Sequence, residues 1–149
     1  MLTVDGRAFD IEPTSLVVGL SGSWAYGKKA IASNVSADWH ERFGPDKAFD
    51  DDPETHWATD QGTTQAWLEV DLRQPRAIGN ASIREAHAGR VRSYQLEYWD
   101  VGQWKSCHAG FTLDEHERIK IQPFTAQRFR LNITSARDPT ISEFQLFDP

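Results

Sequence analysis

Apolar and polar residues alternate along much of the chain with a period of two, as in strands that place one face on a core and the other in water. The alternation is clearest in residues 66–72, 94–98 and 128–133. In each stretch the apolar residues share a face, namely Leu68, Val70 and Leu72, then Tyr94, Leu96 and Tyr98, then Phe129, Leu131 and Ile133. Weaker strands are predicted at 78–85, 104–109, 117–122 and 141–147.

Turn-forming residues separate these strands, among them Gln74-Pro75, Ala88-Gly89, Asp100-Val101-Gly102, Leu113-Asp114-Glu115 and Asp138-Pro139. The strands recur about every 10 to 15 residues, and no segment shows a convincing helical period. This pattern predicts an all-β antiparallel sandwich. Residues 1–29, with the apolar run Leu16–Leu20 and a Gly/Ser stretch, are predicted to be a leading strand or a linker before one module at 30–149.

Composition and charge reduce the number of possible functions. The length of 149 residues suits one domain. The chain carries 16 basic and 22 acidic side chains, and its net charge of −6 argues against nucleic acid or an anionic membrane as a partner. No stretch is apolar enough to span a bilayer, and the opening residues lack the layout of a signal peptide. Cys107, the single cysteine, excludes an internal disulfide.

Catalytic motifs are absent from the sequence. There is no G-x-S-x-G elbow, no H-E-x-x-H helix and no phosphate-binding loop. The acidic cluster at 114–117 is interpreted as an exposed hairpin turn, and Cys107 as a buried strand residue. We therefore expect no enzymatic activity in this chain.

The segment from Asp46 to Trp57 is the richest in oxygen ligands. Three aspartates, Asp50 to Asp52, precede Pro53, and Thr55 follows. Ca²⁺ takes six to eight oxygens from carboxylates, hydroxyls and backbone carbonyls, and a folded acidic turn offers such a set. The alternative is a solvated acidic surface turn, which is common in proteins.

Five segments together resemble a known family: KAFDDDPETHWAT, AWLEVDL, RVRSYQLEYW, RFRLNI and ISEFQLF. They are similar to the coagulation factor V/VIII type C (discoidin) domain. More narrowly, they resemble family 32 carbohydrate-binding modules and the C-terminal domain of family 29 α-L-fucosidases. The resemblance covers about residues 30–148 and implies an eight-stranded jelly-roll sandwich.

The same resemblance implies one structural calcium ion. Its ligands would be the Lys47 carbonyl, the Asp50 carboxylate, the Asp52 carbonyl, the Thr55 carbonyl and hydroxyl, and a carbonyl and a carboxylate from Ser142 and Glu143. Glu143 stands in a strand that buries Phe144 and Leu146, where a carboxylate is costly unless it is paired or bound to metal. Relatives often have glycine where this chain has Asp51, so the turn is expected to be tighter or differently aimed.

Sugar recognition in this family uses loops at one end of the sandwich. Arg90 is the first candidate because it matches an arginine of fucose- and galactose-binding relatives. Trp39 would supply the stacking ring, and the other candidates that bond sugar hydroxyls are His40, Glu85, His87 and Asp138. The alternatives are that Trp39 caps the sandwich, that the histidines are ordinary surface residues and that Arg90 pairs with Glu85 or Asp38. Thr140 and Ile141 stand where some galactose binders place an aromatic residue.

The first hypothesis is a non-catalytic carbohydrate-binding module with a structural calcium. It would direct a tethered glycoside hydrolase to galactose- or fucose-containing glycans, as part of a secreted, periplasmic or cell-surface enzyme, with a bacterial source expected. The alternative is a structural accessory domain of a glycoside hydrolase with no affinity for sugar. A third hypothesis, a discoidin-type module for protein or lipid surfaces, is disfavoured by the acidic balance.

Overall fold

A computed structural model describes residues 21–113 and 117–149 and consists mainly of antiparallel strands. The strands are β1 Lys29–Ala32, β2 Trp57–Ala58, β3 Ala66–Glu85, β4 Val91–Asp100, β5 Gln103–Gly110, β6 Glu117–Ala136 and β7 Thr140–Phe147. Two 3-10 turns, Ser36–Asp38 and Pro45–Ala48, flank a short helix, α1 His40–Phe43. No helix among the described residues has the length and apolar character needed to span a membrane.

The two longest strands, β3 and β6, connect all the others. The hydrogen-bonded order is β2-β7-β3-β6-β4-β5, and β1 also pairs with β3. The first half of β3 pairs with β1 and with the second half of β6, whereas its second half pairs with β7 and with the first half of β6. The inward residues of both halves belong to one hydrophobic cluster, so the halves face each other as two layers.

The described residues contain seven strands, and the expected number of eight is not confirmed. The stretches predicted separately at 66–72 and 78–85 are the two halves of β3, and those at 117–122 and 128–133 belong to β6. The predicted turn at Gln74-Pro75 is a register shift inside β3 instead. There Arg73 adopts a φ of 76° and its N–H donates to the Asp71 carboxylate at 2.8 Å.

The core confirms the alternation in the sequence. Leu68, Val70 and Leu72 are at most 1% exposed, and the inward residues of the 128–133 stretch are buried as well. Tyr98 is the exception, since it is only partly buried and packs its ring 3.7 Å from that of Phe124. Cys107 is partly buried, donates to the Leu96 carbonyl at 3.5 Å, and burial raises the pKa of its thiol to about 11.

The outer face of the β3-β6-β4 layer carries two nearly buried carboxylates. Glu69 accepts hydrogen bonds from Arg128 at 2.8 and 2.9 Å, and Glu97 accepts them from Arg130 at 2.5 and 2.8 Å. Asn132 also donates to Glu97, at 3.2 Å. These partners account for the burial of two charges that the alternation alone would place in water.

The segment before β1 is attached to the last strand. The Trp24 backbone N–H donates to the Leu146 carbonyl, and the Leu146 N–H donates to the Ser23 hydroxyl, both at 3.0 Å. The Trp24 ring also lies 3.8 Å beneath the Arg76 guanidinium. Residues 21–28 are therefore part of the folded module, whereas most of the predicted leading strand or linker, residues 1–20, lies outside the described residues, as does the predicted turn at 114–116.

We predict that Glu97→Ala lowers the free energy of unfolding by about 3 kcal/mol, because it leaves the Arg130 charge without its partner in a poorly solvated position. The matched control is Asp100→Ala, which breaks the more exposed pair with Lys105 and costs at most about 1 kcal/mol. Urea unfolding of both variants measures the difference. Equal losses would show that the Glu97–Arg130 pair behaves as a surface pair.

Candidate functional site

Glu85 ends β3 and shapes the loop that follows it. Its buried carboxylate accepts the backbone N–H groups of Gly89 and Arg90, each at 3.2 Å, and of Val91 at 2.9 Å. Burial raises the pKa of Glu85, and the three N–H groups oppose that shift. Both oxygens accept N–H groups of the loop backbone, so Glu85 holds the loop in place, and its hydrogen bond to sugar hydroxyls stays a prediction.

Arg90 joins this loop to the β6–β7 loop. Its Nη1 donates to the Asp138 carbonyl at 3.0 Å, and its own carbonyl accepts the Arg137 N–H at 3.0 Å. Asp138 adopts a φ of 47° and accepts the Gly62 N–H on its carboxylate at 2.6 Å. The structure therefore brings Arg90 and Asp138 together. The Arg90 guanidinium forms no salt bridge with Glu85 or Asp38 among the described residues, but its charge opposes the rise in the pKa of Glu85.

His87 lies at one end of a row of four aromatic rings. Its N–H donates to the Thr140 hydroxyl at 3.1 Å, and its Nδ1 lies 3.3 Å from the same oxygen. The distance between ring centroids is 5.6 Å from His87 to His56, 5.4 Å from His56 to Phe43, and 5.9 Å from Phe43 to Trp39. We call these four residues the ring row. It connects the predicted residues Trp39 and His87 across the end of the sandwich.

Trp39, Phe43 and His56 also line an open cleft of about 410 Å³. The Trp39 side chain is 51% exposed, so the residue does not cap the core. The Arg42 guanidinium carbon lies 5.6 Å from the Trp39 ring and 5.4 Å from the Phe43 ring. The other lining residues are Glu41, Lys47, Glu54 and Thr55.

Burial lowers the pKa of His56, and the positive charges of His87, Arg42 and Arg90 lower it further. Sequence reasoning missed Phe43 and His56. Arg42 belongs to the segment 38–42 that carries the candidates Trp39 and His40, and His56 lies in the acidic segment. His40 itself contacts Asp38, with 3.3 Å between Nδ1 and the carboxylate, and it makes no ring contact with the row among the described residues.

The acidic segment folds into a tight cluster of oxygens. The Asp50 carboxylate is hydrogen-bonded to the Thr55 hydroxyl and accepts the Asp52 N–H at 3.1 Å. The Thr55 hydroxyl also lies 3.2 Å from the Asp52 carbonyl. Three of the residues predicted to bind calcium are therefore in contact with one another.

Glu143 is buried beside this cluster without a hydrogen-bond partner for either carboxylate oxygen among the described residues. Burial raises its pKa to about 9, and the neighbouring Asp50 and Asp51 carboxylates add to the shift. Lys47 belongs to the turn before Asp50, and Ser142, next to Glu143 on β7, donates its hydroxyl to the Arg84 carbonyl at 3.2 Å.

Side chains alone do not form a metal centre. No group of three or more His, Cys, Asp or Glu residues suited to a metal ion occurs in residues 21–113 and 117–149. The calcium hypothesis therefore depends on two carboxylates, a hydroxyl and backbone carbonyls.

Asp51 has a φ of 55°, a left-handed conformation that favours glycine and that aspartate tolerates. Glycine would adopt this conformation without strain. Its carboxylate accepts the Ser21 N–H at 3.3 Å, the Ser21 hydroxyl at 3.0 Å and the Gln145 amide at 3.4 Å. The Asp51 side chain therefore points toward Ser21.

Comparison with known proteins identifies similar sequences and folds. The family model of the F5/8 type C domain matches residues 29–144. A search of curated proteins finds no significant match. Chitosan-binding module 1 of a chitosanase/glucanase from Paenibacillus sp. IK-5 is similar in structure, with 23% identity over 84% of this chain and 98% of that module and a TM-score of 0.74.

Two further solved structures are similar. The family 32 carbohydrate-binding module of NanJ from C. perfringens, in complex with galactose, has 17% identity over 79% of this chain and 91% of that one, with a TM-score of 0.68. A GH29 fucosidase from Ruminococcus gnavus, in complex with fucose, has 25% identity over 87% of this chain and a TM-score of 0.75. The match covers 27% of the fucosidase chain.

We predict that Glu85→Gln lowers the free energy of unfolding by about 2 kcal/mol, because backbone N–H groups of the loop lose a charged acceptor. Glu41→Gln, in an exposed lining residue of the cleft, is the control and changes stability by less than about 0.5 kcal/mol. Denaturant unfolding measures both. An unchanged stability for Glu85→Gln would mean that the carboxylate does not hold the loop.

We predict that the stability of the metal-free protein depends on pH because of the Glu143 carboxyl group. Its pKa is about 9 in the folded chain, against an ordinary value of 4.5, so unfolding releases a proton between these values. Stability then falls as pH rises through this window, by at most about 1.4 kcal/mol per pH unit. Unfolding with a chelator at pH 5 to 8 tests this, and Glu143→Gln should flatten the profile. The same slope in both proteins would contradict the assignment.

Proposed function

The chain belongs to the F5/8 type C domain family, and from this premise we propose that it is a carbohydrate-binding module. It is a binding domain rather than a catalytic one, because its family and the stand-alone neighbours are non-catalytic binding modules. Two of the similar solved structures are sugar-binding modules: one is named as a chitosan-binding module and the other is in complex with galactose. We propose that this chain likewise binds a sugar.

The observation that carries the proposal is the ring row beside Arg90. The half-exposed Trp39 offers a free ring surface next to an open cleft, which suits the apolar face of a sugar ring. His56 and Arg42 line the same cleft with groups that bond to hydroxyls, and the His87 ring packs edge-on against His56. Galactose- or fucose-containing glycans are the proposed ligands, because the solved neighbours include complexes with galactose and fucose.

We propose further that the module accompanies a glycoside hydrolase. The similarity to about a quarter of a GH29 fucosidase supports such an arrangement, in which weak binding to the glycan raises the local concentration of the enzyme. A secreted, periplasmic or cell-surface location, in a bacterium, would follow from that role.

A structural accessory domain remains the second candidate, and a specific observation favours it. Arg90 and His87 are both engaged within the module, with the Asp138 carbonyl and the Thr140 hydroxyl respectively. In this alternative, Arg90 and His87 stabilise the loops at this end of the module, which contact a catalytic domain. The module itself then has no affinity for sugar.

Calcium is proposed as a structural ion at the acidic segment. The residues fit it, because Asp50, Asp52 and Thr55 already cluster their oxygens and the unpartnered Glu143 carboxylate lies buried beside them. Lys47 and Ser142 would complete the set with their carbonyls. The ion would supply the positive charge that keeps two neighbouring carboxylates ionised in the folded protein.

We predict that calcium raises the melting temperature, because a ligand of the folded state alone stabilises it by mass action. Differential scanning fluorimetry with calcium and with a chelator measures this shift. Glu143→Gln removes the calcium response, whereas Glu54→Gln, on an exposed side chain of the same segment, keeps it. A melting temperature that calcium does not change would contradict the metal proposal.

We predict that Trp39→Ala lowers affinity for the sugar at least tenfold with little change in melting temperature, because the ring is half exposed. Ile31→Ala, which truncates another exposed apolar side chain on β1, is the control and leaves binding unchanged. A glycan array with galactosylated and fucosylated oligosaccharides identifies the ligand, and calorimetry then compares the variants. A blank array with folded protein would favour the accessory domain.

A further inference from the structure

Thr140 holds His87 at two points. Its hydroxyl oxygen accepts the His87 backbone N–H at 3.1 Å, and the same oxygen lies 3.3 Å from Nδ1 of the His87 ring. Thr140 is the first residue of β7 and is only 3% exposed, whereas His87 is an exposed residue of the loop between β3 and β4. A buried strand residue therefore anchors both the backbone and the ring of an exposed loop residue.

The hydrogens available at Thr140 determine which nitrogen of the His87 ring is protonated. A hydroxyl group has one hydrogen to donate and two lone pairs that accept. The His87 backbone N–H can only donate, so it occupies one lone pair of the Thr140 oxygen. If Nδ1 also donated, the hydroxyl hydrogen would have no hydrogen-bond acceptor within residues 21–113 and 117–149. Buried hydroxyl groups are rarely left unpaired, which assigns the donor role to the Thr140 hydroxyl and the acceptor role to Nδ1.

The other ring nitrogen of His87 then becomes a donor. In a neutral imidazole one nitrogen accepts a hydrogen bond and the other carries the hydrogen, so an accepting Nδ1 places the hydrogen on Nε2. Nε2 has no hydrogen-bond partner in the part of the chain described. The ring also packs edge-on against His56, which lines the cleft, with the two planes at 85°. Thr140 and His56 therefore constrain the orientation of the His87 ring from two sides.

We infer that Thr140 is a positioning residue of the sugar site, because it fixes the His87 ring with the hydrogen on Nε2, as a donor to a sugar oxygen. The donor role toward sugar rests on the proposed function, whereas the protonation of the ring does not. Hydroxyl and ring oxygens of sugars all accept hydrogen bonds, so a fixed N–H donor suits them. A ring that is already oriented loses less conformational freedom on binding, which increases affinity.

The protonation of the ring is measured in the absence of sugar. Long-range proton–nitrogen correlation NMR spectra of the whole chain distinguish protonated from unprotonated ring nitrogens, and the spectrum of His87→Gln identifies the His87 signals. At about pH 8, where an ordinary imidazole is neutral, His87 is expected to show a protonated Nε2 and an unprotonated Nδ1. A protonated Nδ1 would overturn the inference.

Substitutions at Thr140 test whether its hydroxyl is the cause. Thr140→Val removes the hydroxyl and keeps the branched shape, so both tautomers of His87 are expected and the signals of its ring nitrogens shift toward each other. Thr140→Ser keeps the hydroxyl and the wild-type spectrum. The control Thr134→Val removes a hydroxyl that contacts Ser93 at 2.6 Å and leaves the His87 signals unchanged. Unchanged His87 signals in Thr140→Val, or in Thr140→Ala if the valine variant does not fold, would overturn the assignment.

Affinity measurements connect the ring to the sugar. Calorimetry with galactose and with fucose is expected to show a loss of about fivefold in Thr140→Val for the sugar that binds, as for one neutral hydrogen bond. Thr140→Ser is expected to bind as the wild type does. In the His87→Gln background, Thr140→Val is expected to cause no further loss, because the residue that Thr140 positions is already absent. Additive losses would show that Thr140 acts other than through His87 and would overturn its positioning role.

The two measurements separate this inference from the function on which it rests. Binding of neither sugar, together with a blank array, would overturn the proposed function and the donor role of His87, even with the hydrogen on Nε2. Sugar binding by a protein whose His87 carries its hydrogen on Nδ1 would overturn this inference and leave the proposed function in place.

Discussion

The antiparallel ladder between β3 and β6 is the constraint on which the rest of the module depends. Each strand is 20 residues long and contributes to both layers, so the two halves of the core are joined through continuous backbone rather than through side-chain packing alone. β3 ends at Glu85 and β6 ends at Ala136, which fixes the two loops that meet at Arg90 and Asp138. The lengths of these two strands therefore position the part of the candidate site that contains His87, Arg90 and Asp138.

Carboxylates organise the loops, and their roles differ because their partners differ. Glu85 satisfies the backbone N–H groups of one loop, and Asp51 accepts from Ser21 and Gln145 across a left-handed turn. Glu143 has no partner among the described residues, although it is as well buried as Glu85. A buried carboxylate without a partner is costly, which distinguishes Glu143 from the two that shape loops.

Alternation in the sequence was sufficient to predict the all-β class and the inward residues, because burial of one strand face is a local property. It did not predict that 66–72 and 78–85 belong to one strand. Pro75 usually indicates a turn, but here it lies at a register shift within β3, and only the pairing of β3 with β6 reveals this. The site was predicted in part. Arg90 and Asp138 do meet, but Phe43 and His56 join it through contacts between rings distant in sequence, which no local pattern reports.

The unequal exposure of the tryptophans gives the module an optical consequence. Trp57 is completely buried, Trp24 lies under a guanidinium, and Trp99 and Trp104 pack against each other and against Arg128. Trp39 is the one exposed tryptophan among the described residues, with about half of its surface in solvent. Its fluorescence should therefore lie at the red edge of the emission spectrum, where an external quencher reaches it first. Any molecule that covers the cleft would change the fluorescence of Trp39, so its binding could be followed without a label.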